Sequence, residues 1–342
     1  MQTKMWRGDC AEDIKAAAGC LQAGEVVAFP TETVYGLGAN ALDEEAAQKI
    51  YAAKGRPSDN PLIVHIAEQK QLEDLVSQVP PKARALMAAF WPGPLTLVMP
   101  RAEQVPDCIT GGLPTVGIRM PDHPAALALL KACGLPLAAP SANTSGKPSP
   151  THAEHVYHDL AGKIAGIIDG GPTAVGLEST VLDVTVEPPV ILRPGGVSQE
   201  AIEQVIGPVQ ADTSLRRSEG VPKAPGMKYK HYAPEAAIII CQGTPAEIAS
   251  QLQMILAQEK RPLGLLISEE TRALLDKVPS GAIVRILGRR AQPETLAHDL
   301  FDALRWFDEQ PVEVIYTEHF PDEQIGAALM NRLNKAAGAA SL

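Results

Sequence analysis

Aromatic residues, long apolar runs and an excess of positive charge are all missing from this sequence. Phe, Trp and Tyr make up only 4% of its 342 residues, so a core must rest on Ala, Val, Leu and Ile. No segment approaches the roughly 18 uninterrupted apolar residues of a membrane-spanning helix, and the first residues are too polar for a secretory signal. These absences predict a soluble, cytoplasmic protein with no membrane segment.

Cysteine is scarce as well, with five residues that never form a C-x-x-C pair. This spacing argues against a disulfide framework and against a zinc site. His152, His155 and His158 recur on a predicted helix, but nothing nearby in the sequence completes a ligand set, so we predict no metal site made of protein side chains. The chain carries 40 acidic against 30 basic residues, which disfavours broad binding to a nucleic-acid backbone.

Residues 1–207 form a first region, in which short apolar strands lie between helices and proline-rich loops. Several predicted strands follow one another without a helix between them, as over 179–193. This succession predicts an α/β domain whose open sheet is mixed rather than purely parallel. The candidate strands lie at 25–29, 61–66, 95–99, 115–120, 136–139, 164–169, 179–184 and 189–193.

Residues 236–342 form a second region, in which strands and helices alternate regularly. Predicted strands at 237–240, 263–267, 282–287 and 312–317 are followed by predicted helices at 245–259, 269–277, 293–309 and 322–337. Strict alternation predicts a parallel sheet between two helical layers, a smaller Rossmann-like three-layer α/β/α domain. Its first strand is not followed by G-x-G-x-x-G, so a dinucleotide is not predicted there. Residues 208–235 have neither period and are predicted to be a linker.

Two polar stretches of the first region follow predicted secondary-structure elements directly. PTETVYGLG (30–38) offers hydroxyls, together with Gly36 and Gly38, which let a backbone approach a ligand. KGRPSDNPLIVH (54–65) combines a Lys, an Arg and an Asn in a way that suits a polyphosphate. Plainer interpretations remain open: a capped turn for the first stretch, partners of a helix dipole for the second, and a buried structural histidine for His65.

Three further stretches carry polar groups at strand edges. Arg119, within VGIRMP (116–121), has apolar neighbours and therefore requires an anion, either a structural carboxylate or a ligand. The loop over 140–149 is rich in small hydroxyl residues that can bind oxyanions, although it could also be an ordinary flexible loop. Ser179 and Arg193 add one hydroxyl and one cation. No Walker loop, G-x-S-x-G or H-E-x-x-H motif occurs in the sequence.

Taken together, seven segments resemble the YrdC-type threonylcarbamoyl-AMP synthases in kind and in order. They are PTETVYGLG (30–38), KGRPSDNPLIVH (54–65), FWPGPLTLV (90–98), VGIRMP (116–121), APSANTSGKPSPT (139–151), GLESTVLDV (176–184) and ILRPGG (191–196). The linker APGMKYKHYAP (224–234), followed by a small α/β domain, is similar to the long two-domain form of that family. The resemblance implies a YrdC-like open twisted sheet in the first domain, with a wide, positively charged cavity.

The resemblance also implies a reaction. Members of this family join L-threonine, bicarbonate or CO₂, and ATP into threonylcarbamoyl-AMP and pyrophosphate, which makes them nucleotidyltransferases (L-threonylcarbamoyladenylate synthases). Downstream proteins then transfer the threonylcarbamoyl group to an adenosine beside the tRNA anticodon, so direct tRNA binding is expected to be weak. Such a reaction depends on positioning and charge neutralisation, and Mg²⁺ is expected to accompany the phosphates.

By motif position, the resemblance implies two groups of site residues. The ATP site is expected to consist of Lys54, Arg56, Asn60, Thr115, Ser141, Asn143, Ser149, Arg193 and Tyr232, with His231 as a further linker contact. Lys54 and Arg56 are expected to stabilise charge. The threonine pocket is expected to consist of Thr33, His65, Arg119, Ala139 and Ser179, with Arg119 on the substrate carboxylate.

Two alternatives differ from adenylate synthesis. One is an RNA- or tRNA-binding module of the same fold without adenylate synthesis, which the acidic balance of the chain disfavours. The other is a carbamoyl-transfer maturation enzyme with a related domain. Such enzymes carry acylphosphatase and zinc-finger segments, for which this chain has neither the cysteine pairs nor the length.

Overall fold

The computed structural model describes residues 2–57, 60–212 and 232–338, and the chain divides into two compact units. The N-terminal unit comprises Met1–Ser145 and Ser149–Tyr229, and the C-terminal unit comprises Gly146–Pro148 and Lys230–Leu342. Most of the predicted linker lies outside the described residues, so its bounds at 208 and 235 stay predictions. In the described ranges, no helix is long and apolar enough to cross a membrane.

The N-terminal unit is built on a large mixed sheet. Its strands are β1 (Lys4–Arg7), β2 (Val27–Phe29), β3 (Gly36–Asn40), β4 (Ile63–His65), β5 (Leu95–Pro100), β6 (Thr115–Arg119), β7 (Leu137–Ala138), β8 (Gly166–Asp169), β9 (Thr180–Asp183), β10 (Val190–Arg193) and β11 (Gln210–Ala211). Its helices are α1 (Ala11–Gln22), α2 (Glu44–Lys54), α3 (Pro81–Phe90), α4 (Asp107–Thr110), α5 (Pro124–Cys133), α6 (Ala153–Leu160) and α7 (Gln199–Ile206), and a 3₁₀ helix spans Gln69–Asp74.

The strands are arranged in the order β1-β8-β2-β3-β7-β4-β6-β5-β9-β10-β11. Parallel pairs such as β4 with β6 and β5 with β9 lie beside antiparallel pairs such as β5 with β6 and β9 with β10. The prediction of a mixed sheet is therefore confirmed. Within the pair β4–β6, His65 lies directly opposite Arg119.

The two faces of the sheet have different surroundings because side chains alternate along each strand. In β6, Val116 and Ile118 belong to the largest apolar core, together with residues of α2, α3 and α7. Thr115, Gly117 and Arg119 therefore point to the other face. A second core on that other side packs α1 and α5 against strand residues such as Val27 and Phe29.

Further along the second face lies a small apolar cluster made of strand residues alone. It consists of Ile63, Val98, Val181 and Leu192 from β4, β5, β9 and β10. A Cβ added at Gly117 would lie 3.2 Å from Cγ2 of Thr96 and 3.7 Å from Cγ1 of Ile63. Because Gly117 has no side chain, this part of the sheet face carries no bulky group. The polar residues of the candidate site lie around Gly117.

The segment after β2 was expected to be a ligand-binding loop, but its second half is a strand. Gly36–Asn40 is the strand β3, which pairs with β2 and places Gly36 opposite Phe29. A Cβ at Gly38 would lie 2.7 Å from Cε1 of Phe29, a distance that side-chain packing does not tolerate. The packing of Phe29 therefore explains a glycine at position 38.

The C-terminal unit contains a four-stranded, entirely parallel sheet in its described residues, with the order β12-β15-β13-β14. Its elements are β12 (Ala237–Cys241), α8 (Pro245–Gln258), β13 (Leu263–Ser268), α9 (Glu269–Ala273), β14 (Ile283–Gly288), α10 (Pro293–Asp308), β15 (Val314–Glu318) and α11 (Ile325–Ala337). The predicted alternation of strands and helices is confirmed, although α9 is shorter than the sequence suggested.

Helices cover both faces of this smaller sheet. Leu263, Leu265 and Ile267 of β13 pack in one apolar cluster with residues of α8. The intervening Gly264 faces the opposite side, where a Cβ would lie 2.4 Å from the ring of Phe307 in α10. The predicted three-layer α/β/α arrangement is therefore confirmed.

Candidate active site

The guanidinium of Arg119, at the end of β6, is the most constrained cation of the candidate site. Its Nη1 donates to Oγ1 of Thr33 at 2.9 Å, and its Nε donates to the carbonyl oxygen of Gly93 at 3.3 Å. Its Nη2 lies 2.6 Å from Oε2 of Glu32, and both side chains are buried. The sequence required an anion for Arg119, and the structure supplies the Glu32 carboxylate, three residues after the predicted buried strand.

The hydroxyl of Thr33 is held from a second side. Oγ1 of Thr31 lies 2.9 Å from Oγ1 of Thr33 and donates to the carbonyl oxygen of Val34 at 2.6 Å. Both threonines are buried. The turn after β2 therefore fixes the Thr33 hydroxyl beside Arg119.

His65 lies opposite Arg119 on the neighbouring strand and is buried. Burial, and secondarily the positive charge of Arg119, lower the pKa of His65 to about 3. Its ring packs edge-on against Phe29, with centroids 6.0 Å apart. At neutral pH the imidazole is therefore uncharged and offers a neutral hydrogen-bonding group, and the structure brings it together with Arg119 as expected.

Ser179, directly before β9, and Arg193, at the end of β10, form a second polar group. Nη2 of Arg193 donates to the carbonyl oxygen of Ser179 at 3.0 Å and to its Oγ at 3.1 Å. Oγ of Ser179 also lies 2.8 Å from Oγ1 of Thr96. Because the methyl group of Thr96 contacts the space above Gly117, this group adjoins the strand that carries Arg119.

Lys54 ties down the serine-rich loop. This lysine ends α2, directly before Gly55 in the left-handed conformation, and its Nζ donates to the carbonyl oxygens of Ser141 and Asn143. Oγ of Ser141 donates to Oδ1 of Asn143 at 2.5 Å. Three of the residues that the resemblance assigned to ATP are thus in contact with one another, and part of the Lys54 charge is directed at backbone carbonyls.

The same loop connects to the threonine side of the site through backbone contacts. Ala142 donates its amide to the carbonyl oxygen of Tyr35 at 2.8 Å, and Leu37 donates to Pro140 at 2.8 Å. The amide of Ala139 donates to the carbonyl oxygen of Ile63 at 2.8 Å. The backbone of Ala139 therefore lies beside β4, two residues from His65.

Arg56 and Asn60 lie just before β4. Nη2 of Arg56 donates to the carbonyl oxygens of Asn60 and Pro61, at 3.2 and 3.3 Å. Oδ1 of Asn60 is buried and accepts no hydrogen bond from the described part of the chain. A buried amide oxygen without a donor is costly, so this atom is a candidate ligand contact.

The remaining predicted residues of the ATP group have different surroundings. Oγ of Ser149 donates to Oε1 of Glu178 at 2.6 Å, and both residues are buried. Thr115 begins β6 on the same face as Arg119. Tyr232 belongs to the C-terminal unit, where its ring lies 5.2 Å from that of Phe301, and His231 lies outside the described residues.

Three contacts of the site were missed by the sequence reasoning: the Glu32 carboxylate, the Gly93 carbonyl and the Thr96 hydroxyl. Glu32 lies inside PTETVYGLG (30–38), a motif whose hydroxyls and glycines were expected to matter. A buried arginine in a strand requires an acid, and this requirement could have directed attention to the one acidic residue of that motif. The Gly93 carbonyl carried no comparable signal, because it depends on how the Trp91–Pro94 turn folds back on β6.

Among the described residues, no cluster of three or more His, Cys, Asp or Glu side chains could hold a metal ion. His152 and His155 pack edge-on against each other, with centroids 5.0 Å apart.

Comparisons with known proteins identify the family. The family model described as telomere recombination, of the Sua5/YciO/YrdC type, matches residues 19–195, and the model described as threonylcarbamoyl-AMP synthase, C-terminal domain, matches residues 197–338. The chain is 55% identical to the threonylcarbamoyl-AMP synthase of Bacillus subtilis, over 99% of each chain. The chain belongs to the threonylcarbamoyl-AMP synthase family.

Two further comparisons support this membership. The threonylcarbamoyl-AMP synthase of Pyrococcus abyssi is 50% identical, over 95% of this chain and 94% of its own. The crystal structure of P. abyssi Sua5 complexed with L-threonine superposes with a TM-score of 0.94, covering 100% of this chain and 99% of that chain at 47% identity. The family resemblance deduced from seven motifs is therefore confirmed, and so is the two-domain form.

Proposed function

We propose that this protein is an L-threonylcarbamoyladenylate synthase, which forms threonylcarbamoyl-AMP, pyrophosphate and water from L-threonine, bicarbonate and ATP. The observation that carries the proposal is the similarity over the full chain to proteins named for this activity, one of which was crystallised with L-threonine. The RNA-binding alternative has no comparable support, because these relatives are named as synthases.

The geometry of the site is suited to this reaction. The buried Arg119, with Thr33 and the uncharged His65 beside it, can hold a small carboxylate substrate. In the group of Lys54, Ser141 and Asn143, the lysine Nζ donates to two backbone carbonyls and the Ser141 hydroxyl donates to the Asn143 side chain, so that a cation, a hydroxyl and an amide group lie together, as suits the binding of phosphates. No nucleophile is required, since the carbamate oxygen attacks the α-phosphorus of ATP and pyrophosphate leaves.

We assign the residues as the sequence predicted. Thr33, His65, Arg119, Ala139 and Ser179 bind threonine, and Lys54, Arg56, Asn60, Thr115, Ser141, Asn143, Ser149 and Arg193 bind ATP. Tyr232 and the predicted linker over 208–235 are proposed to contact the nucleotide. ATP enters as its magnesium complex, in which the phosphates hold the ion. The product passes to the proteins that modify tRNA in the cytoplasm.

The proposal is tested by incubating the full-length protein with ATP, bicarbonate and single L-amino acids, followed by mass spectrometry of the nucleotides. We expect threonylcarbamoyl-AMP to form with L-threonine, together with one pyrophosphate per adenylate. Omission of bicarbonate serves as the control. Release of pyrophosphate without an adenylate that contains threonine would contradict the proposal.

A further inference from the structure

The carboxylate of Glu32 lies among the residues of the proposed threonine pocket and has unused hydrogen-bonding capacity. Oε2 lies 2.6 Å from Nη2 of Arg119, but the approach angle is outside hydrogen-bond geometry. Within the described residues, neither carboxylate oxygen and neither hydrogen of Nη2 takes part in a hydrogen bond. The exposed fractions of the two side chains are 9% for Glu32 and 5% for Arg119, so water has little access.

The rest of the Arg119 guanidinium is already fixed. Nη1 donates to Thr33 and Nε donates to Gly93, which leaves Nη2 and the Glu32 carboxylate side by side. A buried charge whose hydrogen bonds are unmade is costly. A pair that had only a structural role would gain stability by closing these hydrogen bonds.

An α-amino acid offers the matching pair of charges. Its carboxylate and its ammonium group are attached to the same carbon atom, so a protein must recognise both at neighbouring positions. Nη2 of Arg119 can donate to the substrate carboxylate, and the Glu32 oxygens can accept from the substrate ammonium. His123, on which the charge of Glu32 acts, has its pKa lowered mainly by burial, so it adds no positive charge there at neutral pH.

We propose that Glu32 binds the α-ammonium group of the amino-acid substrate and so selects amino acids over the corresponding acids without nitrogen. The inference rests on the proposed function, since it concerns the same site. It assigns Glu32 a direct contact with substrate, in addition to its pairing with Arg119. A residue that only positioned Arg119 would have no means of distinguishing two ligands with the same carboxylate.

The test compares the binding of L-threonine with that of (R)-3-hydroxybutanoate, which keeps the carboxylate and the hydroxyl but lacks the amine. Calorimetry on the full-length protein is expected to show a preference of about 10- to 100-fold for L-threonine. In Glu32→Gln this preference should fall to less than about threefold, because the amide has no charge to offer the ammonium. Glu32→Asp should restore part of it.

A matched control is Asp183→Asn, which removes another buried carboxylate of the same unit, one that accepts from Thr185 outside the site. This variant should keep the wild-type preference. An equal loss of both ligands in Glu32→Gln, or an unchanged preference, would overturn the proposal, as would a wild type with no preference. If Glu32→Gln does not fold, the Glu32→Asp variant decides, and a preference equal to that of the wild type counts against direct contact.

The inference and the proposed function can fail separately. A protein that prefers L-threonine through Glu32 but makes no threonylcarbamoyl-AMP would refute the function and leave the ammonium contact standing. A protein that makes the adenylate while Glu32→Gln keeps its preference would refute only the contact.

Discussion

Each unit of this protein contains a buried carboxylate paired with a guanidinium, and the two pairs differ in how completely they are satisfied. In the C-terminal unit, Glu318 ends β15 and accepts from the amide of Ser268 at 2.5 Å, from Oγ1 of Thr271 at 2.9 Å and from Nη1 of Arg290 at 2.5 Å. In the N-terminal unit, Glu32 faces Arg119 without a hydrogen bond within the described residues. The first pair is saturated by hydrogen bonds within its own unit, and the second keeps unused hydrogen-bonding capacity, which we propose a substrate uses.

The comparison teaches that burial and charge alone do not identify a site. Both acids are almost inaccessible, and both meet an arginine within 2.6 Å. A saturated pair holds strands and loops together, since all its hydrogen bonds are made inside the protein. An unsaturated pair retains the desolvation cost without full compensation, which is reasonable where a ligand completes it.

The largest effect is expected from Glu318→Ala. This change leaves the Arg290 guanidinium, Ser268 N and Thr271 Oγ1 without their common acceptor, so the free energy of unfolding should fall by about 3–5 kcal/mol. Urea denaturation followed by circular dichroism measures it. The exposed Glu313, one residue before the same strand, gives a control whose change to Ala should cost less than about 0.5 kcal/mol. A cost below about 1 kcal/mol for Glu318→Ala would remove the distinction between the pairs.

Arg119→Lys tests the other side of the comparison through activity. Lysine keeps the charge but loses the planar fork that contacts Thr33, Gly93 and Glu32 together. We expect kcat/KM for L-threonine to fall by at least about 100-fold, equivalent to about 2.7 kcal/mol. Arg290→Lys makes the same exchange in the saturated pair and should leave kcat/KM within about threefold. Equal losses in both variants would show that the effect is one of folding.

A smaller effect should appear as a pH dependence of stability. The folded state keeps His65 neutral down to a pKa of about 3, whereas the unfolded chain protonates it near its ordinary pKa of about 6.5. Stability is therefore fully present above pH 6.5 and declines as the pH falls from 6.5 towards 3, by on the order of 1 kcal/mol at pH 5.5.

His65→Gln should remove this part of the acid sensitivity, as measured by urea denaturation at pH 8 and pH 5.5. Parallel pH profiles for wild type and His65→Gln would be incompatible with a buried neutral imidazole.

The smallest effect is expected from Asn60→Ala. The lost Oδ1 has no donor among the described residues, so the free energy of unfolding should change by less than about 1 kcal/mol, while KM for ATP rises by up to about tenfold. Asn40→Ala should instead lower the free energy of unfolding and leave KM for ATP unchanged, because Oδ1 of Asn40 accepts from the amide of Leu42 at 3.1 Å. Steady-state kinetics and urea denaturation of both variants would separate a ligand contact from a turn contact.

The sequence predicted the regular parts of the fold and missed those that depend on neighbours. The pattern of apolar residues in TVGIR predicted β6, and the alternation of strands and helices after residue 236 predicted the parallel sheet. The strand Gly36–Asn40 was missed because its sequence, GLGAN, has a low preference for strands. In the structure it pairs with β2, and the ring of Phe29 packs in the space beside its glycines. The helix Pro81–Phe90 was missed as well.

The sequence by itself determined the family, the order of the two domains and the types of residue at the site, since motif order and period need no coordinates. The tertiary structure alone decided which of these residues meet. His65 and Arg119 are far apart in the chain and lie opposite each other only because β4 and β6 pair in parallel. Glu32 faces Arg119 for a related reason: the turn after β2 brings the carboxylate to the end of β6. Whether its oxygens are satisfied depends on angles between side chains, and no residue pattern encodes those.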